Sequence, residues 1–189
     1  MKTNVTLLWH DDELVDARRD YVAPWLRWFD RESQSLGLTV VRTSTLRELA
    51  ESLQSQQAPP DVLMLDVMLK REPDSTFEKL GFAKEGLLRL DAGAQIVGLI
   101  RNAAFDAGRP SWLKRYRDTP IVLLSSSPTV DDLIKHYVNA DRKQWLWGVT
   151  KDIDASSGEA RPDPRFVLTI REALKRARSS DAASTTQQP

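Results

Sequence analysis

The sequence predicts a doubly wound α/β fold, on three observations. Short apolar runs alternate with amphipathic helical stretches five times along the chain, the runs are continuous instead of alternating, and chemically useful polar residues follow them directly. Continuous runs this short suit strands buried on both faces, as in a parallel sheet covered by helices. Alternation of strand and helix makes the sheet parallel, with right-handed crossovers.

The runs are Val5–Trp9 (VTLLW), Leu38–Val41, Val62–Leu65 (VLML), Ile121–Leu124 (IVLL) and Trp145–Val149 (WLWGV), the second being the weakest. Between the first two, Glu13–Leu36 carries Leu14, Tyr21, Trp25, Trp28 and Phe29 in a helical pattern, which Pro24 is expected to kink or divide. Thr45–Gln56 places Leu46, Leu49 and Leu53 at helical spacing, and Asp91–Phe105 does so with Ile96, Val97 and Ile100. After Pro128, Thr129 reads as an N-cap with Asp132 three residues on, followed by an apolar face of Val130, Leu133, Ile134, Tyr137 and Val138. The last helix is expected over Pro164–Arg178, capped by Asp163, with Phe166, Val167, Ile170, Leu174 and Ala177 inward. Residues 67–90 and 107–119 break the rhythm. They read as elaborations, an insertion within about 67–119 of a single domain spanning 1–178, and the polar tail Ser179–Pro189 is expected to be disordered.

Composition narrows the function. With 41% apolar and 29% charged residues, the chain has the make-up of a globular domain. Lys plus Arg and Asp plus Glu are 27 each, so the basic surplus of a nucleic-acid coat is absent. Trp112, Lys114, Arg115, Tyr116 and Arg117 therefore read as a partly packed loop before a nucleic-acid contact. Zero cysteines exclude disulfides and thiolate chemistry, and His10 and His136 are too few for a multi-histidine metal centre. No signal peptide or membrane-length apolar run is visible, so a cytoplasmic protein is the expectation.

Folds of this type place their chemistry at the carboxyl ends of the strands. The first strand ends in His10-Asp11-Asp12-Glu13, the third in Asp66, the fourth in Ser125-Ser126-Ser127 and the fifth in Thr150-Lys151. Taken singly, adjacent aspartates cap helices, an Asp after a strand forms turns, and a Ser run is loop. Together they make a chemical set. Clustered carboxylates favour a hard divalent cation such as Mg²⁺. A carboxylate is a nucleophile toward phosphorus, and a cation, an ammonium and a hydroxyl would compensate the phosphoryl charge. His10 is expected to lie on the opposite face of its strand, and Trp25 and Trp28 to be core or a partner surface.

The order Asp-Asp, Asp, Ser, Lys, each at a strand end, within the segments LLWHDDE, DVLMLDVML, TPIVLLSSS and WGVTKD, resembles response-regulator receiver domains of two-component systems. The resemblance implies a flavodoxin-like, doubly wound, five-stranded parallel sheet of order 2-1-3-4-5 with helices on both faces. It implies Asp66 as phosphoacceptor and a Mg²⁺ shell of Asp12, Asp66, the Met68 carbonyl and, largely through water, Asp11. Ser125 would hydrogen-bond the phosphoryl group and Lys151 would pair with it. The chain would be a stand-alone signalling phosphoacceptor and not an enzyme. It would receive phosphate from a histidine kinase, a phosphotransfer protein or a small donor, lose it by self-dephosphorylation, and signal to an output protein. Neither membrane nor nucleic acid is an expected partner; a homodimer is compatible with the sequence.

Departures from the family pattern are definite. Asp152 follows the lysine where family members usually have a cis proline, Gly148 stands three before it in place of an aromatic switch, and Lys70 replaces a proline after the acceptor. Trp145 and Trp147 flank Gly148. Met68 and Ser127 occupy positions that help place the hydrolytic water in the family, and Met68 has no strong hydrogen-bonding group, so slow self-dephosphorylation is expected. Two rivals remain. One is a receiver-like interaction module that is not phosphorylated. The other is a haloacid-dehalogenase-like phosphatase, which the order of the motifs opposes because its nucleophile belongs to the first strand.

Overall fold

The computed structural model describes residues 4–16, 22–55, 59–69, 92–101, 111–126, 129–130, 132, 145–154 and 160–185, with side chains as far as 179. Five parallel strands, β1 (Val5–His10), β2 (Leu38–Thr43), β3 (Val62–Asp66), β4 (Ile121–Ser125) and β5 (Leu146–Thr150), form one sheet of order β2-β1-β3-β4-β5. This is the flavodoxin-like order. The sheet reverses its winding between β1 and β3, and in sheets of this order ligands bind at the carboxyl ends of those two strands.

Alternation persists within the continuous apolar strands. Leu8, Leu63, Leu65, Ile121 and Leu123 face one side, where α2 (Leu46–Gln54) and α3 (Ala92–Arg101) supply Leu46, Leu49, Leu53, Ile96, Val97 and Ile100. Val5, Leu7, Trp9, Val62, Met64, Val122 and Leu124 face the other, against α1 (Ala23–Glu32) and α4 (Pro164–Thr185). That second layer is aromatic. Phe29 lies 5.5 Å from Trp9 and 5.9 Å from Phe166, ring centre to ring centre, and Trp25 meets Phe166 edge-on at 6.3 Å. Trp25 and Trp28 are thus core, and the strands are buried on both faces for the reason their composition implied.

Several boundaries differ from expectation. The stretch after β1 is not one kinked helix. A 3₁₀ turn over Asp12–Asp16 comes first, and α1 begins at Ala23 with Pro24 in its first turn, where a missing N–H costs nothing. After α1, the left-handed Gly37 (φ 57°) turns the chain into β2 and offers its carbonyl to the Val5 N–H at 2.9 Å. Thr45 caps α2 with a reciprocal box, its Oγ1 accepting from the Glu48 N–H and Glu48 accepting from the Thr45 N–H, both at 3.2 Å. Asp163 caps α4 as expected, accepting from the Arg165 N–H at 2.7 Å.

α4 runs to Thr185, past the predicted end at Arg178 and into the stretch read as tail, since no glycine or proline interrupts Ser179–Thr185. A short antiparallel hairpin, β6 (Ile153–Asp154) and β7 (Arg161–Pro162), follows β5 and has no counterpart in the sequence prediction. Two residues per strand are too few to produce a periodic signal. Residues 111–116 form a 3₁₀ helix that buries Leu113 and Tyr116, so the basic-aromatic stretch is packed. Most of the 67–119 elaboration and of the helix expected after Pro128, together with Ser127, His136 and Lys70, lie outside the described residues.

Candidate phosphoryl and metal site

β1, β3, β4 and β5 deliver their terminal polar residues to one edge of the sheet. Asp11, Asp12 and Asp66 are all buried, and each offers an oxygen within 4.8 Å of the others. The backbone fixes them by ordinary means. The Asp11 N–H donates to the Thr43 carbonyl at 3.2 Å, prolonging β1–β2 pairing by one residue. Asp11 Oδ1 then accepts from the Glu13 N–H at 3.0 Å, an Asx-type turn that starts the 3₁₀ helix and swings Asp12 inward. Asp66 is the last residue of β3, and its Oδ1 accepts from the Met68 N–H at 3.4 Å.

Lys151 crosses from β5 to meet them. Its N–H donates to the Ser125 carbonyl at 2.7 Å, which extends the β4–β5 ladder beyond Thr150. Its Nζ lies 2.9 Å from Asp11 Oδ2, 3.1 Å from Asp66 Oδ2 and 3.8 Å from Glu13 Oε2. Ser125 ends β4, fully buried, one residue past the Asp66–Leu124 pairing of β3 and β4. The peptide joining Lys151 to Asp152 is trans. Thr150 Oγ1 donates to the Asp152 carboxylate, so the residue in the family's proline position instead closes a local turn.

The electrostatics follow from burial. Loss of hydration pushes the Asp66 carboxyl up to about 7; the Lys151 ammonium pulls it down, while the Asp11 and Asp12 charges push it up. Burial alone would lower the Lys151 ammonium, but Asp66 and Asp11 outweigh it and hold the group above its ordinary range. Among the described residues, the Lys151 ammonium thus faces Asp11, Asp66 and Glu13, with Asp12 beside them, and carboxylates outnumber it. That excess, with oxygen donors only, suits a hard divalent cation such as Mg²⁺. His10 sits behind the cluster on the α2 side, fully buried, with Nδ1 3.1 Å from Thr43 Oγ1, and burial lowers it to about 4. It is neutral at ordinary pH.

One residue at the site escaped the sequence reading. Gly93, second in α3, donates its N–H to the Val67 carbonyl at 3.1 Å, and a Cβ there would lie 2.1 Å from the Asp66 carbonyl oxygen. The sequence carried a faint signal for it, the small residues Ala92-Gly93-Ala94 opening an otherwise bulky helical pattern. Among the described residues, no helix is long and apolar enough to cross a membrane.

No family model matches the sequence, and no curated protein does so either. Among solved structures, the chain is similar to the receiver domain of Francisella response regulator 1452, with 13% identity and a TM-score of 0.48 over 92% of this chain and 98% of that one. It is also similar to a fusion carrying the yeast Spc42 trimeric coiled coil, with 16% identity and a TM-score of 0.48 over 100% of this chain and 86% of that one. The functional reading is therefore carried by the pocket itself.

Proposed function

We propose that the chain is a phosphoacceptor receiver in which Asp66 takes a phosphoryl group and a partner protein reads the result. The observation that carries this reading is the Lys151 ammonium held between Asp11 and Asp66, inside a buried carboxylate cluster at the switch point of the sheet. An Asp66 oxygen forms a bond to phosphorus while the bond from phosphorus to the donor breaks, its electron pair leaving with a histidine nitrogen or an acetate oxygen. Lys151 pairs with one phosphoryl oxygen and the Ser125 hydroxyl donates to another. Asp11, Asp12, Asp66 and the Met68 carbonyl would hold Mg²⁺, which supplies positive charge to the phosphoryl oxygens. The acyl phosphate adds roughly the −1.5 to −2 charges of other phosphorylated side chains. A histidine kinase or phosphotransfer protein is the expected donor, and repacking of the surrounding face the expected output.

The test is the intact mass of the protein after incubation with Mg²⁺ and acetyl phosphate, beside an Asp66→Ala variant. One phosphoryl group on the unsubstituted protein alone is the expected result. Addition to both would place the acceptor elsewhere. A second reading, a receiver-like interaction module without phosphorylation, draws on Gly148 in β5 and on the trans bond to Asp152, which remove two familiar parts of a switch. Absence of addition from acetyl phosphate, phosphoramidate and a panel of phosphorylated kinases would favour it. For the self-dephosphorylation rate, Met68→Asn is expected to shorten the lifetime of the acyl phosphate; a longer lifetime would contradict the role given to Met68.

A further inference from the structure

We infer that Gly93 is a positioning residue for the phosphoacceptor: the first turn of α3 is seated on the Asp66–Val67 backbone, and it fits there only because residue 93 has no side chain. Two successive carbonyls are engaged. The Val67 carbonyl accepts from the Gly93 N–H at 3.1 Å, and the Asp66 carbonyl occupies the space a Cβ would need, 2.1 Å from the ideal Cβ position. The same hypothetical atom would lie 2.9 Å from the Asp66 carbonyl carbon and 3.0 Å from the Val67 Cα, so no rotation of a flexible side chain could relieve it. Backbone would have to move.

The strand beneath cannot yield easily. Val67 donates its N–H to the Leu124 carbonyl at 2.8 Å, so the segment is held to β4 on one side and to α3 on the other. Val67 and Leu69 are fully buried among the α2 and α3 side chains. The peptide planes at 66–67 and 67–68 set where the Asp66 carboxylate and the Met68 carbonyl lie. A shift there moves ligands relative to Asp11 and Asp12, which follow β1 on a separate segment and do not move with it. Residues that orient ligands in this indirect way typically change metal affinity by about 10–100-fold when altered.

This inference rests on the metal-assisted reading of the pocket. Its test uses the full chain and calorimetric titration with Mg²⁺, with thermal unfolding alongside. Gly93→Ala is expected to raise the Mg²⁺ dissociation constant by about tenfold or more. Ile100→Val, a buried change at the far end of the same helix, is expected to lower the unfolding temperature and leave that constant alone. If Gly93→Ala does not fold, Ala94→Gly loosens the same turn without adding an atom, and is expected to raise the constant several-fold. An unchanged constant in whichever of these variants folds would overturn the inference. An equal rise in Ile100→Val would also overturn it, because general loosening would then explain the effect. Absence of Mg²⁺ binding by the unsubstituted protein would overturn the metal reading and this inference with it, a result distinct from either of the others.

Discussion

The two ends of the sheet use their charged residues differently. At the carboxyl ends stand Asp11, Asp12 and Asp66, drawn together around one lysine. At the amino ends stand arginines, and each of them attends to backbone carbonyls. Arg101 donates to the Thr119 and Trp145 carbonyls just before β4 and β5, Arg115 to the Leu53 and Ser55 carbonyls at the end of α2, and Arg178 to the Leu36 carbonyl before β2. Tyr116 joins them, its hydroxyl donating to the Leu53 carbonyl at 2.7 Å. In a parallel sheet the helices all run back, so their C-terminal carbonyls gather at the amino end and cations there are favourable. The arginine end satisfies what the backbone leaves unmet. The carboxylate end instead gathers buried like charges, an arrangement met more often at functional sites than in plain structure.

Removing one arginine should break the first half of this contrast with the largest effect. Arg101→Ala takes the donor from the Thr119 carbonyl and one of two donors from the Trp145 carbonyl, which keeps the Ile121 N–H, and is expected to cost about 3 kcal/mol in chemical denaturation. Arg101→Lys should recover little, because an ammonium is a point charge and cannot span both carbonyls. A loss no greater than that of an exposed substitution would show that water serves those carbonyls equally well.

Asp66→Asn should act in the opposite sense, stabilising the fold while abolishing phosphoryl uptake. The carboxyl is raised in the folded protein from 3.8 to about 7. Below 3.8 both states hold the proton and the group is neutral toward folding; as pH rises to about 7 the unfolded state ionises first, and stability is lost. In metal-free buffer at pH 8 the variant is therefore expected to exceed the unsubstituted protein by about 2–4 kcal/mol, the difference closing toward pH 4. A difference that widened as pH fell would mean that Asp66 is net stabilised by Lys151 and that the end is balanced after all.

Thr45→Ala probes the carboxyl end beside the carboxylate cluster, at the start of α2. It removes half of the capping box of α2, for an expected cost of about 1 kcal/mol and no change in Mg²⁺ affinity. A change in affinity would tie the cap to the pocket through its neighbour Thr43, whose carbonyl receives the Asp11 N–H.

What the sequence made legible is what repeats or what ends a repeat. Leu63, Met64 and Leu65 read as strand because both faces are buried, and Asp66 stood out because it breaks that run. The same reasoning found Asp11, Ser125 and Lys151, and the structure brings their strands side by side. Features made by close approach between distant segments left little trace. Gly93 has the look of a mild flaw in a helical pattern until the Asp66 carbonyl is placed above it. Arg101 and Arg115 are indistinguishable in sequence from solvated charges, since a carbonyl partner has no side-chain signature. Pro24 was ambiguous for another reason: the same ring that kinks a helix interior is at ease in a first turn, and only the fold says which applies.

The spacing of the pocket's parts along the chain has a consequence for synthesis. Lys151 follows Asp66 by 85 positions, so a chain still on the ribosome carries its acidic residues for some time before this lysine exists. At roughly 5–20 residues per second that interval lasts roughly 4–17 s, to which the length of the exit tunnel adds. β5, the last strand of the sheet, contributes Lys151 at its end, and β1, the first made, waits for both of its neighbours. On the reading of Asp66 as the acceptor, a nascent chain lacks its paired lysine until β5 is made, and Asp66 becomes competent only once all five strands exist.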